Sequence, residues 1–149
     1  MKSMFIPPPL LLFGAIAVSF LASTISPGLG FTVDFLPVVG IALVGTGAAL
    51  FVWTVQFFRK HKTTLHPRGK PSAFITTGPY SVSRNPIYLG FFFISLGTAL
   101  LFANILALVG PVIFFLFINT SVIPFEENML TGIFGLSYHS YRKRIRRWL

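Results

Sequence analysis

The sequence predicts an all-α integral membrane protein with four transmembrane helices, a cytoplasmic loop and a C-terminal interfacial helix. Of its 149 residues 54% are hydrophobic and only 10% are charged, against roughly 25% charged in soluble domains. The mean hydropathy is +0.78. The apolar runs lack the alternation typical of strands, and only helices or closed barrels satisfy the backbone in lipid. We therefore expect a single membrane domain over residues 1–149.

The first apolar segment covers about residues 6–24. We expect Pro7-Pro8-Pro9 to begin its helix, because proline is tolerated in a first helical turn. Lys2 and the small residues Ala22-Ser23-Thr24 would also fit a cleaved secretory signal. We expect the segment to be retained as a transmembrane helix.

The second segment, residues 35–58, carries no charge and is long enough to cross the roughly 30 Å hydrocarbon layer. It is rich in small residues spaced four apart, which share one helix face and allow a neighbouring backbone to approach closely. The spacing predicts two such pairs, Ala42 with Thr46 and Gly45 with Ala49.

The third and fourth segments form one uncharged stretch from Ile87 to Pro124. As a single helix this stretch would be about 57 Å long, too long for one crossing. It predicts a hairpin that turns near Phe102-Ala103-Asn104, with crossings at about 87–102 and 105–124. The many phenylalanines of this hairpin suit either packing and lipid contact or an apolar wall for an acyl-like or prenyl-like substrate.

Basic residues predict the orientation in the membrane. All twelve lie near the two ends of the chain or between segments two and three, namely Lys2, Arg59, Lys60, Lys62, Arg68, Lys70, Arg84, Arg142, Lys143, Arg144, Arg146 and Arg147. Cytoplasmic loops are enriched in such residues, so we expect a multi-pass protein with both termini in the cytoplasm. The net charge of +9 predicts contact with anionic lipid headgroups, not with nucleic acid.

Polar side chains concentrate in two clusters where apolar runs meet basic ones. The first cluster precedes segment three and the second follows segment four, and together they comprise Gly78-Pro79-Tyr80, Arg84-Asn85-Pro86-Ile87-Tyr88, Glu126-Glu127, Phe134-Gly135, Tyr138, Tyr141 and Arg147-Trp148. Both clusters fall on the predicted cytoplasmic side. This predicts one cofactor site built from residues 66–88 and 125–149.

Five charged or aromatic residues of these clusters have two interpretations each. Glu126 and Glu127 would bind the cationic group of a ligand, or they are helix-end charges paired with Arg84 or the basic tail. Arg84 would hold a ligand carboxylate through its planar guanidinium, or it is a positive anchor at the membrane surface. Tyr80 and Tyr88 would face a sulfonium or adenine, or they belong to the interfacial aromatic belt.

No metal site is predicted. The spacing of His61, His66 and His139 matches no common ligand pattern, and the chain has no cysteine to assist.

The two clusters together resemble the motifs of the integral-membrane methyltransferases, which include isoprenylcysteine carboxyl methyltransferases and phospholipid methyltransferases. The resemblance covers about residues 70–149. It implies S-adenosylmethionine as cofactor and S-adenosylhomocysteine as product. By similarity the cofactor would contact Ser72, Ala73, Phe74, Ile75, Tyr80, Asn85, Pro86, Ile87, Tyr88, Glu126 and Glu127. Arg84 is our own candidate for a catalytic residue, which would orient a carboxylate of the acceptor or of the cofactor.

Two positions depart from the prenylcysteine enzymes. Asn85 stands where those enzymes carry histidine, and asparagine occurs in many relatives. Val122 stands where they carry a substrate-binding arginine four residues before the carboxylate. The resemblance therefore implies methyl transfer to a hydrophobic or amphipathic acceptor without specifying prenylcysteine.

Two other functions remain open from the sequence. Some sterol reductases share this architecture, so a membrane reductase that uses a nicotinamide cofactor is one alternative. A non-enzymatic four-helix transporter is the other, although the three carboxylates, Asp34, Glu126 and Glu127, all lie at segment ends and not deep in a helix.

Overall fold

The computed structural model describes residues 6–60 and 74–149. All regular elements in these ranges are helical, and strand pairing in them is limited to an isolated bridge between Gly30 and Asn104. The predicted all-α architecture is therefore confirmed. The five α-helices are α1 (Pro8–Ile25), α2 (Leu36–Lys60), α3 (Pro86–Leu101), α4 (Val109–Phe117) and α5 (Ile123–Arg144).

The helices have the apolar character of membrane spans. Within the described residues, α1, α2 and the helical stretch Ile105–Arg144 are long and apolar enough to cross a membrane. The shorter α3 is also apolar, with 16 residues, or about 24 Å of helix. Proline begins α1 as expected, since Pro8 occupies its first turn, where no intrahelical N–H bond is lost.

Glycines bring α2 and α3 into close contact in two places. Gly40 lies against Gly97 and Gly47 against Gly90, and a Cβ atom at any of the four would overlap or crowd backbone of the facing helix. This corrects the predicted contact face. Gly45 has open space around it, and its neighbours in the predicted pairs, Ala42, Thr46 and Ala49, are exposed. Small residues of α2 do allow a neighbouring backbone to approach closely, as predicted, but their spacing alone did not identify which of them lie at the contact.

The α3–α4 hairpin turns at the predicted residues. α3 ends at Leu101, Ala103 adopts a positive φ of 47°, and the Asn104 side chain accepts a hydrogen bond from the N–H of Leu106. The Asn104 amide also donates to the carbonyl of Ser26 at 2.8 Å. This contact joins the α3–α4 turn to the α1–α2 connection at one end of the bundle.

The helix after this turn does not end at Pro124. A π-helical turn, Ile118–Val122, links α4 to α5, and Pro124 lies in the first turn of α5. Proline cannot bond to the carbonyl four residues earlier, and the widened π turn immediately before it accommodates that loss. α5 then bends at Gly135, whose φ of 51° and ψ of −122° are not helical. The helix therefore changes direction at Gly135, where glycine tolerates a positive φ.

The core of the bundle lies between α1, α3 and the α4–α5 stretch. Its buried members are Leu12, Ala15, Tyr88, Phe91, Phe114, Ile118, Val122 and Ile123. Because Tyr88 belongs to this core, the polar cluster that follows lies directly on the packed part of the bundle.

Candidate functional site

The first turns of α3 and α5 meet through Tyr88 and Glu126. Asn85 is the N-cap residue of α3, and Pro86 in its first turn is fully buried, so the direction in which Tyr88 leaves the backbone is well defined. The hydroxyl of Tyr88 donates a hydrogen bond of 2.6 Å to Oε1 of Glu126. The two predicted polar clusters therefore converge in one place.

Glu127, next in the chain, is the centre of a buried ion-pair cluster. Its side chain is only 7% exposed, and Arg84 Nη2 lies 2.9 Å from Oε1. Arg147 Nη2 donates to Oε2 at 2.8 Å, and Arg142 Nη2 lies 3.8 Å from the same oxygen. Burial strengthens such charged contacts, because little water competes for them. The predicted pairing of a carboxylate with Arg84 and the basic tail is thus present at Glu127.

The neighbouring carboxylates have opposite environments. Glu127 contacts three guanidinium groups, whereas Glu126 forms no ion pair with any residue in 6–60 or 74–149. Within that part of the chain, the side-chain hydrogen bond to Glu126 comes from the neutral Tyr88. A partly buried carboxylate without a countercharge is costly, so Glu126 is the group in this site best suited to a cationic ligand.

An aromatic cluster covers the same end of the bundle. The ring of Phe74 stacks on Phe134 with centroids 5.0 Å apart, and it meets Tyr138 and Tyr141 edge to face at 5.8 and 5.4 Å. The hydroxyl of Tyr141 donates to the carbonyl of Tyr80 at 2.7 Å. Phe74 and Tyr80 are thereby attached to α5, as the predicted single site requires.

The turn that holds Tyr80 depends on a glycine. Gly78 has a φ of +62°, and a Cβ atom there would overlap the ring of Phe57 at the end of α2. Tyr80 itself packs edge to face on Phe58 with centroids 5.5 Å apart. Burial, followed by the nearby negative charge of Glu126, raises the pKa of the Tyr80 hydroxyl. Tyr80 therefore stays neutral at physiological pH.

The residues after α5 attach to the loop that precedes α3. We call residues 145–149 the strap. The backbone N–H of Arg84 donates to the carbonyl of Arg146 at 3.0 Å, and the Asn85 amide donates to the carbonyl of Arg147 at 2.9 Å. Ser83 also donates to the Arg147 carbonyl, at 3.3 Å. The Asn85 side chain is thus used to hold the strap.

Asn119 is a site residue that the sequence analysis missed. It lies in the π-helical turn, and its Oδ1 accepts hydrogen bonds from Arg147 Nη1 and Trp148 Nε1, both at 3.2 Å. Its polar amide within the uncharged 87–124 stretch was the available signal. The ring of Trp148 also packs on that of Phe115, with centroids 5.1 Å apart.

The remaining predicted positions fall into two groups. Ile75 and Ile87 are partly buried, and Ile87 packs against the core. Ser72, Ala73, His61 and His66 lie outside the described residues. Over the residues that the structure does describe, no group of three potential metal ligands occurs.

The chain is similar to known methyltransferases. A family model described as phospholipid methyltransferase matches residues 35–137. The chain is 35% identical over 79 residues to Protein-S-isoprenylcysteine O-methyltransferase of Schizosaccharomyces pombe, covering 52% of this chain and 33% of that protein. The same-named protein of Xenopus laevis is 38% identical over 71 residues, covering 48% and 25%. The aligned part therefore spans a third or less of these two relatives.

A shorter relative matches over its whole length. An uncharacterized protein of Haemophilus influenzae is 41% identical over 63 residues, which cover 42% of this chain and 100% of that protein.

Proposed function

Because this chain belongs to the phospholipid methyltransferase family, we propose that it is a membrane enzyme that transfers a methyl group from S-adenosylmethionine to a hydrophobic or amphipathic acceptor. The names of the isoprenylcysteine O-methyltransferase relatives support methyl transfer as the reaction. The observation that carries the proposal is the difference between the two adjacent carboxylates of α5.

Glu126 is the proposed ligand for the ammonium group of the cofactor. Its neighbour Glu127 is neutralised by arginines, while Glu126 has only the Tyr88 hydroxyl within the described part of the chain. An ammonium group would supply the missing countercharge and form a charge-assisted hydrogen bond. Tyr88 keeps the carboxylate in a fixed orientation for that contact.

The aromatic cluster is the proposed wall for the rest of the cofactor. Phe74 packs edge to face on Tyr138 and Tyr141, and Tyr141 is hydrogen-bonded to the carbonyl of Tyr80, which lies near Glu126. Such rings stabilise an adjacent positive sulfur through cation–π attraction and stack with an adenine. Ser72, Ala73 and Ile75 adjoin Phe74 in sequence and are proposed to contribute backbone contacts, as are Asn85, Pro86 and Ile87, which adjoin Tyr88.

Arg84 is the proposed orienting group for a carboxylate of the cofactor or acceptor. One edge of its guanidinium lies on Glu127, while its buried Nε has no hydrogen-bond partner in the part of the chain described. A buried N–H donor left without an acceptor is costly. A ligand carboxylate that reaches Nε would satisfy it.

The chain's own contribution to catalysis is proposed to be positioning and exclusion of water. S-adenosylmethionine would supply an electrophilic methyl group on a positively charged sulfur. Glu126 and Arg84 would hold the two ends of an amino acid moiety, and the aromatic side chains would keep the reacting region dry. Direct attack on the methyl carbon would break its bond to sulfur and release S-adenosylhomocysteine, and an acceptor carboxylate or amine lone pair can attack without first giving a proton to a side chain.

The acceptor is proposed to approach from the bilayer. Position 122, where the resemblance leads us to expect a substrate-binding arginine in the prenylcysteine enzymes, is a valine buried in the core. Phe92 of α3 and Phe115 of α4 pack at 5.4 Å and offer an apolar surface next to the strap. We propose a lipid-like acceptor, with both chain termini in the cytoplasm and the basic residues on anionic lipid headgroups.

Calorimetry with S-adenosylhomocysteine tests the cofactor assignment. Detergent-purified protein should bind it, and reduced nicotinamide nucleotides should not displace it. Absence of heat and of thermal stabilisation at millimolar ligand would contradict the proposal, and displacement by the nicotinamide nucleotide would favour the reductase. Transfer of radiolabelled methyl into a total membrane lipid extract would then identify the acceptor class.

A further inference from the structure

The strap makes contacts with three separate parts of the bundle. α5 ends at Arg144, and Ile145 has extended backbone angles, so the strap leaves the helix axis. The strap carbonyls of Arg146 and Arg147 accept hydrogen bonds from the loop before α3, and the Arg147 guanidinium reaches Glu127 in α5. The third contact is with the π-helical turn.

Asn119 makes that third contact through its side-chain oxygen and its backbone carbonyl. Its side-chain Oδ1 receives the Arg147 guanidinium and the Trp148 indole N–H, each at 3.2 Å. Arg147 Nη1 also lies 3.4 Å from the Asn119 carbonyl. The next residues of the turn, Thr120 and Ser121, are exposed. Asn119 is therefore the polar side chain of this turn that faces the protein and holds the strap.

The contacts of the strap lead directly to Glu126. Arg147 is fixed by Asn119, and its carbonyl accepts from Ser83 and Asn85. Asn85 is the N-cap residue of α3, so its position sets where the first turn of that helix begins. Tyr88 lies in this first turn and donates to Glu126. A shift of the strap would therefore change the geometry of the Tyr88–Glu126 pair.

The π-helical turn is a second feature that favours a functional interpretation. Here the N–H of Ile123 bonds to the carbonyl of Ile118, five residues earlier. Such turns are rare and are frequently found at functional sites. The wider turn rotates the residues that follow it relative to those before it. It therefore sets the angle between Asn119, which holds the strap, and Glu126 in the next turn.

We infer that Asn119 is a positioning residue: it holds Arg147 and Trp148 so that the strap keeps the start of α3, and with it Tyr88, in register with Glu126. The inference rests on the proposed function, because cofactor affinity is its main readout. Asn119 acts through the strap and does not itself touch the cofactor.

Trp148 provides a local probe of the strap. The chain has two tryptophans, and Trp53, which is 46% exposed on α2, can be replaced by phenylalanine. In this Trp53→Phe background, quenching of the remaining tryptophan by acrylamide reports whether the strap is docked. The test variants are Asn119→Leu, which removes the acceptor, and Asn119→Asp, which keeps it. Thr120→Val is the matched control, because within residues 6–60 and 74–149 the Thr120 hydroxyl donates to the carbonyl of Leu116 in the preceding turn and not to the strap.

Asn119→Leu should increase the quenching of Trp148 and raise the Kd for S-adenosylhomocysteine by about tenfold, as expected for the loss of a hydrogen bond to a charged group. Asn119→Asp and Thr120→Val should each leave the quenching of Trp148 and the Kd close to those of the Trp53→Phe protein. If the leucine variant does not purify, Trp148→Phe removes the indole donor and should raise the same Kd.

The outcomes separate the inference from the proposed function. Unchanged affinity in Asn119→Leu despite increased quenching would overturn the positioning role, and unchanged quenching would overturn the anchoring. Absence of S-adenosylhomocysteine binding by the unmodified protein would instead contradict the proposed function. The quenching comparison would then still decide whether Asn119 anchors the strap.

Discussion

The Tyr88 hydroxyl donates a 2.6 Å hydrogen bond to Glu126, although 38 residues separate them in the chain. Tyr88 is only 6% exposed and belongs to the packed core. The bond therefore ties a carboxylate to the packed core of the bundle. A group held in this way loses little conformational freedom when it binds a ligand, which is the advantage of preorganisation.

Replacing Glu126 by glutamine should weaken cofactor binding strongly. We expect the Kd for S-adenosylhomocysteine to rise by more than about tenfold, because a hydrogen bond to a charged group contributes about 1.5–3 kcal/mol. Titration calorimetry would measure the change. Asp34→Asn is the matched control, since Asp34 precedes α2, away from the Tyr88–Glu126 pair, and should bind normally. Unchanged affinity in Glu126→Gln would assign Glu126 a structural role.

Removing only the Tyr88 hydroxyl should have a smaller effect. Tyr88→Phe keeps the buried ring but leaves Glu126 Oε1 without this donor, so we expect about a threefold to tenfold rise in Kd, in the range of one hydrogen bond. The effect should act through Glu126. In a double-mutant cycle, Tyr88→Phe should therefore add little to Glu126→Gln. Fully additive losses would show that Tyr88 acts independently of Glu126.

The arginines around Glu127 should differ in their effect on stability. The Arg84 side chain is 9% exposed, and its Nη2 lies 2.9 Å from Glu127. Arg84→Met should therefore lower the free energy of unfolding by about 3 kcal/mol, the lower end of the range for breaking a buried ion pair. Arg142 is 38% exposed at 3.8 Å, and Arg142→Met should cost less than about 1 kcal/mol. Thermal unfolding in detergent would compare the two, and equal losses would contradict the assignment.

Glycine positions in α2 provide a test of the α2–α3 packing. Gly47→Ala should destabilise the protein by about 1–3 kcal/mol, because the added methyl group would overlap the Gly90 carbonyl and force the helices apart. Gly45→Ala has open space and should be neutral or stabilising by about 0.5–1 kcal/mol, since alanine favours helix. The thermal midpoints of the two single variants measure this difference. Equal midpoints would contradict the close contact of α2 with α3 at Gly47.

Much of the site could be predicted from its local chemistry. Charged and aromatic residues are expensive in a membrane, so their concentration at the junctions of apolar runs indicated where the site lies. The convergence of Tyr88 with Glu126 and the attachment of Phe74 to α5 agree with the predicted single site. The role of Asn119 could not be predicted, because it depends on a π-helical turn that leaves no periodic signal in the sequence.

The sequence by itself determined the helical membrane architecture, the hairpin turn at Ala103 and the bend at Gly135, because each depends on hydrophobicity or backbone preference within a short stretch. Only the tertiary structure decided that Gly40 and Gly47 contact α3, that Glu127 takes the arginines while Glu126 has none in the described ranges, and that Trp148 packs inward. These outcomes depend on how helices distant in the chain rotate against one another. Small differences in packing and charge pairing decide that rotation, and they act only after the helices have come together.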